Sequence, residues 1–489
     1  MSVPIESFFL PLEREGTLQQ RVKRQVVEGI LSGRFAHGAR LPSTRALARH
    51  LGVSRITIAF AYTDLVADDY LVSRGRSGYY VSSAAPQTSA PQTQPHHEGD
   101  LDWSRLIRRS PPHPTRIDRP TDWQRYPYPF LYGQPDPALF EHANWRQCAL
   151  QALGQREFDA LTADHYERDD PELVDYLLRH ILPRRGIAAG PENVLLTLGS
   201  QNALWLTAQL LLSPRRTAVL ENPGYTGLRD ILEHTGCRVA TVDVDAEGLA
   251  PIAIPEEAHV VFVTASHHCP TGVAMPMARR KALLDRATEL GCVLVEDDYE
   301  FELAMPGAAA PALKAMDRSG CVVYAGSFSK TLFPGLRLGY LVAPEPFVRH
   351  ARALRGTVLR HPPGVVQRTV ARFLALGHYD TQIKRMRAAY QARKAELHEA
   401  LSSYGLAPAS ATPTAGTSVW MRAPPGVDTG TLANALRAQG VVIEAGAPFF
   451  SPDTPDTAHY RLAISSIPEA RIRSGVGLIA EEISAMSGA

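Results

Sequence analysis

The 489-residue chain has few cysteines and almost no net charge. Cys148, Cys237, Cys269, Cys292 and Cys321 are scattered, and neither a paired disulfide framework nor a metal-ligand spacing can be built from them. A reducing compartment suits such usage. No apolar run approaches the roughly 20 residues of a spanning helix, and the acidic, proline-containing start lacks the basic and apolar regions of a secretion signal. These absences predict a cytoplasmic protein with no membrane partner. A formal charge of +1 excludes a chain dominated by one sign, while 45% hydrophobic content supplies core for at least two domains.

Residues 84–97 have no charged side chain and no aliphatic residue larger than alanine, but they contain Pro86, Pro91 and Pro95. Nothing there can bury a core, so the stretch is read as an extended linker. It is expected to continue to about residue 125, with Leu101, Trp103 and Ile107 able to dock on the larger domain. The predicted domains are 1–83, a linker over 84–125, and 126–489.

Before the linker, eleven Lys/Arg stand against seven Asp/Glu within residues 1–83, an excess that suits an anionic partner. Leu18–Leu31 carries apolar residues on one helical face. Ser43 is placed to cap a short helix ending at Leu51, Gly52-Val53 makes a turn, and Ser54 caps a second helix reaching Ala67. Two short helices joined by a glycine turn form a helix-turn-helix. Leu71–Ser73 and Tyr79–Val81 then read as a hairpin whose tip carries Arg74 and Arg76. Arg45, Arg55, Arg74 and Arg76 can be a solvated surface; their concentration at the second helix, the recognition-helix start and the wing tip favours DNA.

In the longer part, strand-like runs at 194–197, 217–221, 239–242, 260–266, 293–296, 322–326 and 340–343 alternate with helical patterns such as Met277–Leu290. This predicts an α/β domain, a mostly parallel sheet between helices, followed from about residue 345 by a smaller C-terminal α+β subdomain. Ser327-Phe328-Ser329-Lys330 follows one strand directly. A lysine delivered from a strand end into a hydroxyl-rich turn suits a Schiff base to pyridoxal 5′-phosphate (PLP), whereas alone it could be an ordinary loop lysine. The odds change with Asp297 and Tyr299 at the end of another buried strand. A carboxylate there can pair with a protonated pyridine nitrogen, and the tyrosine hydroxyl can reach the phenolic oxygen.

With these residues in view, the part from about residue 126 resembles the fold-type I aminotransferases, and the whole chain resembles the MocR/GabR subfamily of GntR-type transcriptional regulators. The resemblance implies Lys330 as the Schiff-base lysine, Asp297 at the pyridine nitrogen, Tyr299 at the phenolic oxygen, and Arg337, Ser327 and Ser329 near the phosphate. In Thr197-Leu198-Gly199-Ser200-Gln201-Asn202, the backbone N–H groups of Ser200 and Gln201 match the phosphate turn. Tyr225 matches the ring-stacking aromatic, and Arg461 the arginine that receives an effector carboxylate. Leu41-Pro42-Ser43-Thr44-Arg45 with Gly52-Val53-Ser54-Arg55 resembles the GntR signature, so Arg45 and Arg55 match its DNA-contacting arginines, with Ser54 and Thr57 meeting phosphates or base edges. The chain departs from the pattern in four places. Cys269 replaces the usual asparagine before Pro-Thr-Gly; His268, beside it, either contacts the effector or is packed. Ala59 replaces an arginine, and Asp169-Asp170-Pro171 is an unusual loop entry.

The resemblance implies a homodimeric, PLP-dependent regulator that binds double-stranded operator DNA and senses a small amine or amino acid by aldimine exchange at Lys330. The alternative is an active aminotransferase with a DNA-binding appendage. Subfamily effectors include γ-aminobutyrate and taurine; Gly227, where the γ-aminobutyrate sensor carries a second arginine, weighs against γ-aminobutyrate.

Overall fold

The computed structural model describes residues 2–9, 16–86, 101–107, 117–155, 158, 161, 163–164, 167–304, 310–409 and 416–488. They fall into two compact units, Met1–Arg108 and Arg109–Ala489.

In the smaller unit, α1 (Leu18–Leu31) starts at Thr17, whose hydroxyl and the Gln20 side chain cap each other's backbone groups. Its buried face is Val22, Val26 and Ile30, and Gly29 lets the Phe35 ring lie on the helix: a Cβ there would sit 2.3 Å from that ring. Ser43 caps α2 (Thr44–Leu51), Gly52 ends it in the left-handed conformation at φ 66°, and Ser54 caps α3 (Arg55–Ala67). Strands β1 (Leu71–Ser73) and β2 (Tyr79–Val81) pair antiparallel. Helix-turn-helix and wing therefore form as the sequence predicts. Leu47, Ile58, Tyr62 and Leu65 join α1 in one core.

Of the expected linker, residues 87–100 and 108–116 lie outside the described residues. Leu101, Trp103 and Ile107 are all exposed, beside a four-residue helix, Trp103–Leu106. The far end is not spacer: Ile117 and Arg119 line the cleft of the larger unit. The position of Arg119 is fixed by an ion pair, which composition does not reveal.

The larger unit opens with β3 (Tyr128–Pro129). Its main sheet comprises β4 (Val194–Thr197), β5 (Thr217–Asn222), β6 (Arg238–Asp245), β7 (Gly248–Leu249), β8 (Ala258–Val263), β9 (Val293–Asp298), β10 (Val322–Ser327) and β11 (Gly339–Val342), in the order β4-β11-β10-β9-β8-β5-β6-β7. From β10 through β9, β8 and β5 to β6 all pairing is parallel; β11 and β7 run antiparallel to their neighbours. The run expected over 260–266 ends earlier, at Val263, because Thr264 turns its backbone N–H to the Glu221 side chain at 3.0 Å instead of to the ladder. Two apolar layers cover the sheet. Leu204, Leu206 and Leu232 belong to one, and Leu283, Ala287 and Leu313 to the other. After helices Glu345–Leu359, Gly364–Ala375 and His378–Ser403, a small sheet forms from β12 (Ser418–Arg422), β14 (Glu444–Ala445) and β15 (His459–Ala463), while β13 (Val441–Val442) pairs with β3.

The unusual Asp169-Asp170-Pro171 entry has a structural role. Asp170 caps helix Pro171–Tyr176, and buried Asp169 takes Arg352 at 2.8 Å and Arg355 at 2.6 Å. Arg355 is completely buried. Asp169→Ala would leave it without this counter-charge, so a loss of about 3–5 kcal/mol is expected in denaturant unfolding of the larger unit; a loss under about 1 kcal/mol, typical of a surface pair, contradicts this role.

Candidate functional site

The carboxyl ends of β4, β5, β9 and β10 share one edge of the main sheet, where open α/β sheets gather their ligand groups. A cavity of about 250 Å³ lies there. Lys330 enters it three residues beyond β10, with Nζ 4.3 Å from the centroid of the Tyr132 ring. Gly133 makes that approach possible, because a Cβ on it would stand 2.0 Å from Nζ. Burial, foremost, lowers the Lys330 pKa from 10.5 to about 8; Glu300 opposes this, and Arg119 and Arg461 reinforce it.

Parallel register sets Asp297 beside Ala325 on β10. Its carboxylate lines the cavity and is 9% exposed, and its Oδ1 has no hydrogen-bond partner. Burial, with Asp298 adding repulsion and Lys330 opposing, raises its pKa to about 7. An unpartnered buried carboxylate facing a cavity fits a cationic ring nitrogen. Its neighbours face the other way: Asp298 accepts from Arg185 at 2.6 Å, and Glu296 accepts the backbone N–H groups of Leu313 and Lys314.

The phosphate end is also assembled. Helix Ser200–Leu211 starts in the cavity with no side-chain cap, so the N–H groups of Ser200 and Gln201 are available to an anion. Arg337, held at φ 50°, donates Nη2 to the Leu198 carbonyl at 2.9 Å and faces the same space. Gly199, at φ 83°, admits that guanidinium, since a Cβ would stand 3.1 Å from Nη2. Ser327 and Ser329 line the cavity, with the Ser329 N–H donating to Ser327 Oγ at 3.1 Å. Tyr225 and Tyr299 line it too, although the Tyr299 hydroxyl donates to the His267 carbonyl at 2.8 Å. Lys330, Asp297, Ser200, Gln201 and Arg337 thus line one cavity and have the chemistry to hold PLP, while the Tyr299 hydroxyl is already engaged.

His268 is the exception among the nominated residues. It is 1% exposed and does not line the cavity; Nδ1 bonds Thr271 Oγ1 at 2.7 Å, and Nε2 lies 3.5 Å from Glu221. Burial, with His267 adding repulsion, lowers its pKa to about 3. Packing, not effector contact, explains this histidine. Cys269 does reach the cavity, where its thiol lies 3.8 Å from Arg461 Nη1.

Arg461 is buried on β15, directly across from Glu444 on β14, and donates Nε to it at 2.7 Å. Its guanidinium lies 4.3 Å from the Tyr132 centroid and 4.7 Å from that of Phe449. Sequence reasoning missed Tyr132, Glu444 and Arg119, whose contacts join segments hundreds of positions apart.

In the smaller unit Arg45, Ser54, Arg55, Arg74 and Arg76 are exposed, and Thr57 is half-buried. Ser54 Oγ accepts the Ile56 N–H at 3.3 Å, and Arg74 stacks on Tyr80 at 4.6 Å. Ile56 and Phe60, 65% and 57% exposed, also stand on the recognition helix. Their spacing of four, out of phase with core residues Ile58 and Tyr62, is the signal that could have found them.

A basic winged helix followed by a lysine-and-carboxylate cleft on a mostly parallel sheet defines a two-part class, a DNA-binding head with an aminotransferase-like body. Residues 18–81 match the bacterial regulatory proteins of the gntR family, and residues 146–479 match aminotransferase class I and II. The chain is 56% identical to the HTH-type transcriptional regulator TauR of Rhodobacter capsulatus, over 99% of this chain and all of that one. It is 30% identical to the probable rhizopine catabolism regulatory protein MocR of Rhizobium meliloti, over 75% and 73% of the two chains. Among solved structures, the α-aminoadipate aminotransferase LysN of Thermus thermophilus, complexed with N-(5′-phosphopyridoxyl)-L-leucine, superposes with a TM-score of 0.70 at 27% identity, covering 79% of this chain and all of its own. The chain belongs to the MocR/GabR subfamily of GntR-type transcriptional regulators.

Two outcomes are expected of the cleft. The rate at which cofactor-free protein captures PLP should rise with pH to a half-point near 8, as Lys330 loses its proton; a half-point near the ordinary lysine value of 10.5 contradicts the placement. Asp297→Asn should weaken PLP retention by about 1.5–3 kcal/mol, measured by equilibrium dialysis, and unchanged retention counts against the pairing.

Proposed function

We propose that the chain is a PLP-dependent, DNA-binding transcriptional regulator whose aminotransferase-like body senses a small amine or amino acid. The observation that carries this reading is the unpartnered Asp297 carboxylate in one cavity with Lys330, in a chain that also carries exposed arginines at the start of its recognition helix and on its wing. PLP would supply an aldehyde that reacts reversibly with amines. Lys330 would hold it, Asp297 would balance the ring charge, and Ser200, Gln201 and Arg337 would fix the phosphate. An amine that takes the place of Lys330 shifts operator affinity to the extent that it binds two arrangements of the protein unequally. Fold-type I bodies are dimeric, and a two-fold dimer reads a paired operator.

Lys330→Ala should lose the visible absorption of the lysine-bound cofactor, keep operator binding, and make that binding insensitive to any amine. Retained amine sensitivity would sink the sensor. Sustained conversion of an amino donor and a keto acid by the parent protein would favour the enzyme. Arg55→Ala should cost about 1–3 kcal/mol on cognate DNA alone if it reads a guanine edge, or weaken all DNA equally with a shallower salt slope if it holds a phosphate. Gel-shift titrations on both DNA types at two salt concentrations decide, and no change on either removes Arg55 from the interface.

A further inference from the structure

Within the cleft a single carboxylate serves two guanidiniums. Glu444 is fully buried; its Oε2 accepts from Arg461 Nε and its Oε1 from Arg119 Nε, each at 2.7 Å. Both arginines line the cavity. One cation would neutralise Glu444, so the pair carries one positive charge more than the carboxylate it shares, and that charge favours an entering anion. Donors are available for that anion. Each guanidinium has five N–H groups, and among the described residues the further polar contact of Arg461 is the weak one to the Cys269 sulfur. Arg119 is 30% exposed, against 3% for Arg461, so it stands toward the open side of the pair.

The same geometry limits ligand length. Lys330 Nζ and the Arg461 guanidinium each lie 4.3 Å from the Tyr132 centroid, so they are no farther apart than twice that distance. We propose that Arg119 is a second acid-recognising residue of the cleft, which with Arg461 receives the carboxylate or sulfonate of a short amino acid whose amine is directed toward Lys330. This inference rests on the sensor reading only in assuming that an amino acid enters the cleft.

The test uses the full chain loaded with PLP, titrated with β-alanine, 2-aminoethanesulfonate and n-propylamine while the visible band is followed. Arg119→Gln should raise the half-saturating concentration of one or both acid-bearing amines by about tenfold or more, as for loss of a charge-assisted hydrogen bond, and leave n-propylamine within about twofold. Arg119→Lys should restore part of the loss. The arm with the larger change identifies carboxylate or sulfonate. In parallel, acetate and methanesulfonate should raise the thermal midpoint of the parent saturably, but not that of Arg119→Gln. If all three amines weaken equally, or none changes, the assignment is overturned and Arg119 serves only to close an ion pair. If no amine moves the parent's band while an anion stabilises the parent alone, the sensor reading falls and Arg119 stands as an anion-binding residue. If neither amines nor anions separate parent from variant, the assignment is overturned.

Discussion

The register between β9 and β10 decides which charges meet in this protein. Ala325 pairs with Asp297 and Gly326 with Asp298. Because side chains alternate along a strand, that register sends Asp297 to the cleft and sends Glu296 and Asp298 to the buried groups behind it. A slip of one residue would reverse the faces. Asp298 would then enter the cleft, taking from Arg185 its 2.6 Å partner inside the core, while Asp297 would leave the cavity it now lines. The cavity-lining carboxylate is therefore held by the cost of misplacing its neighbours. Lys330 inherits the same precision, since three residues of turn connect it to β10.

Around that strand pair the cleft divides its charges. At the phosphate end, Arg337 and the start of helix Ser200–Leu211 offer donors and partial positive charge. Near Lys330, Arg461 and Arg119 share Glu444. Asp297 would be the counter-charge for a cofactor ring held between them. This distribution suits a ligand system with one anionic end fixed by the cofactor and another supplied by the effector. The aromatic wall of Tyr132 and Phe449 under Arg461 keeps the guanidinium away from bulk water, which strengthens its pull on an anion.

Sequence legibility followed contiguity. Lys330, Ser327, Ser329 and Arg337 stand in one short segment, and Asp297 ends an apolar run, so each could be read from its local pattern. The head was legible for the same reason: Ser43, Gly52 and Ser54 mark helix ends by their own backbone chemistry. Arg119 and Glu444 are separated by 325 positions, and no local signal connects them. His268 shows the opposite failure. A polar residue in a family-like segment suggested a ligand contact, but one strand-end turn directed it to Thr271 and into the core. Ile56 and Phe60 were less legible because nine of the thirteen positions of α3 are apolar, so their spacing becomes a signal only against the buried Ile58 and Tyr62.

For an effector to alter operator binding, two arrangements of the protein must differ in how well they hold it, and typical couplings are about 1–3 kcal/mol. A single charge-assisted hydrogen bond is worth about 1.5–3 kcal/mol, so one rearranged arginine is sufficient in magnitude. Arg119 is suited to that part by its place in the chain. Of the charged groups lining the cleft it lies nearest in sequence to the DNA-binding unit, in the segment that leads back to residue 108. Arg461, clamped across a strand pair and almost fully buried, has little freedom to move. An arriving acid group that takes up the remaining N–H donors of Arg119 would hold residues 117–119 more firmly against the larger unit.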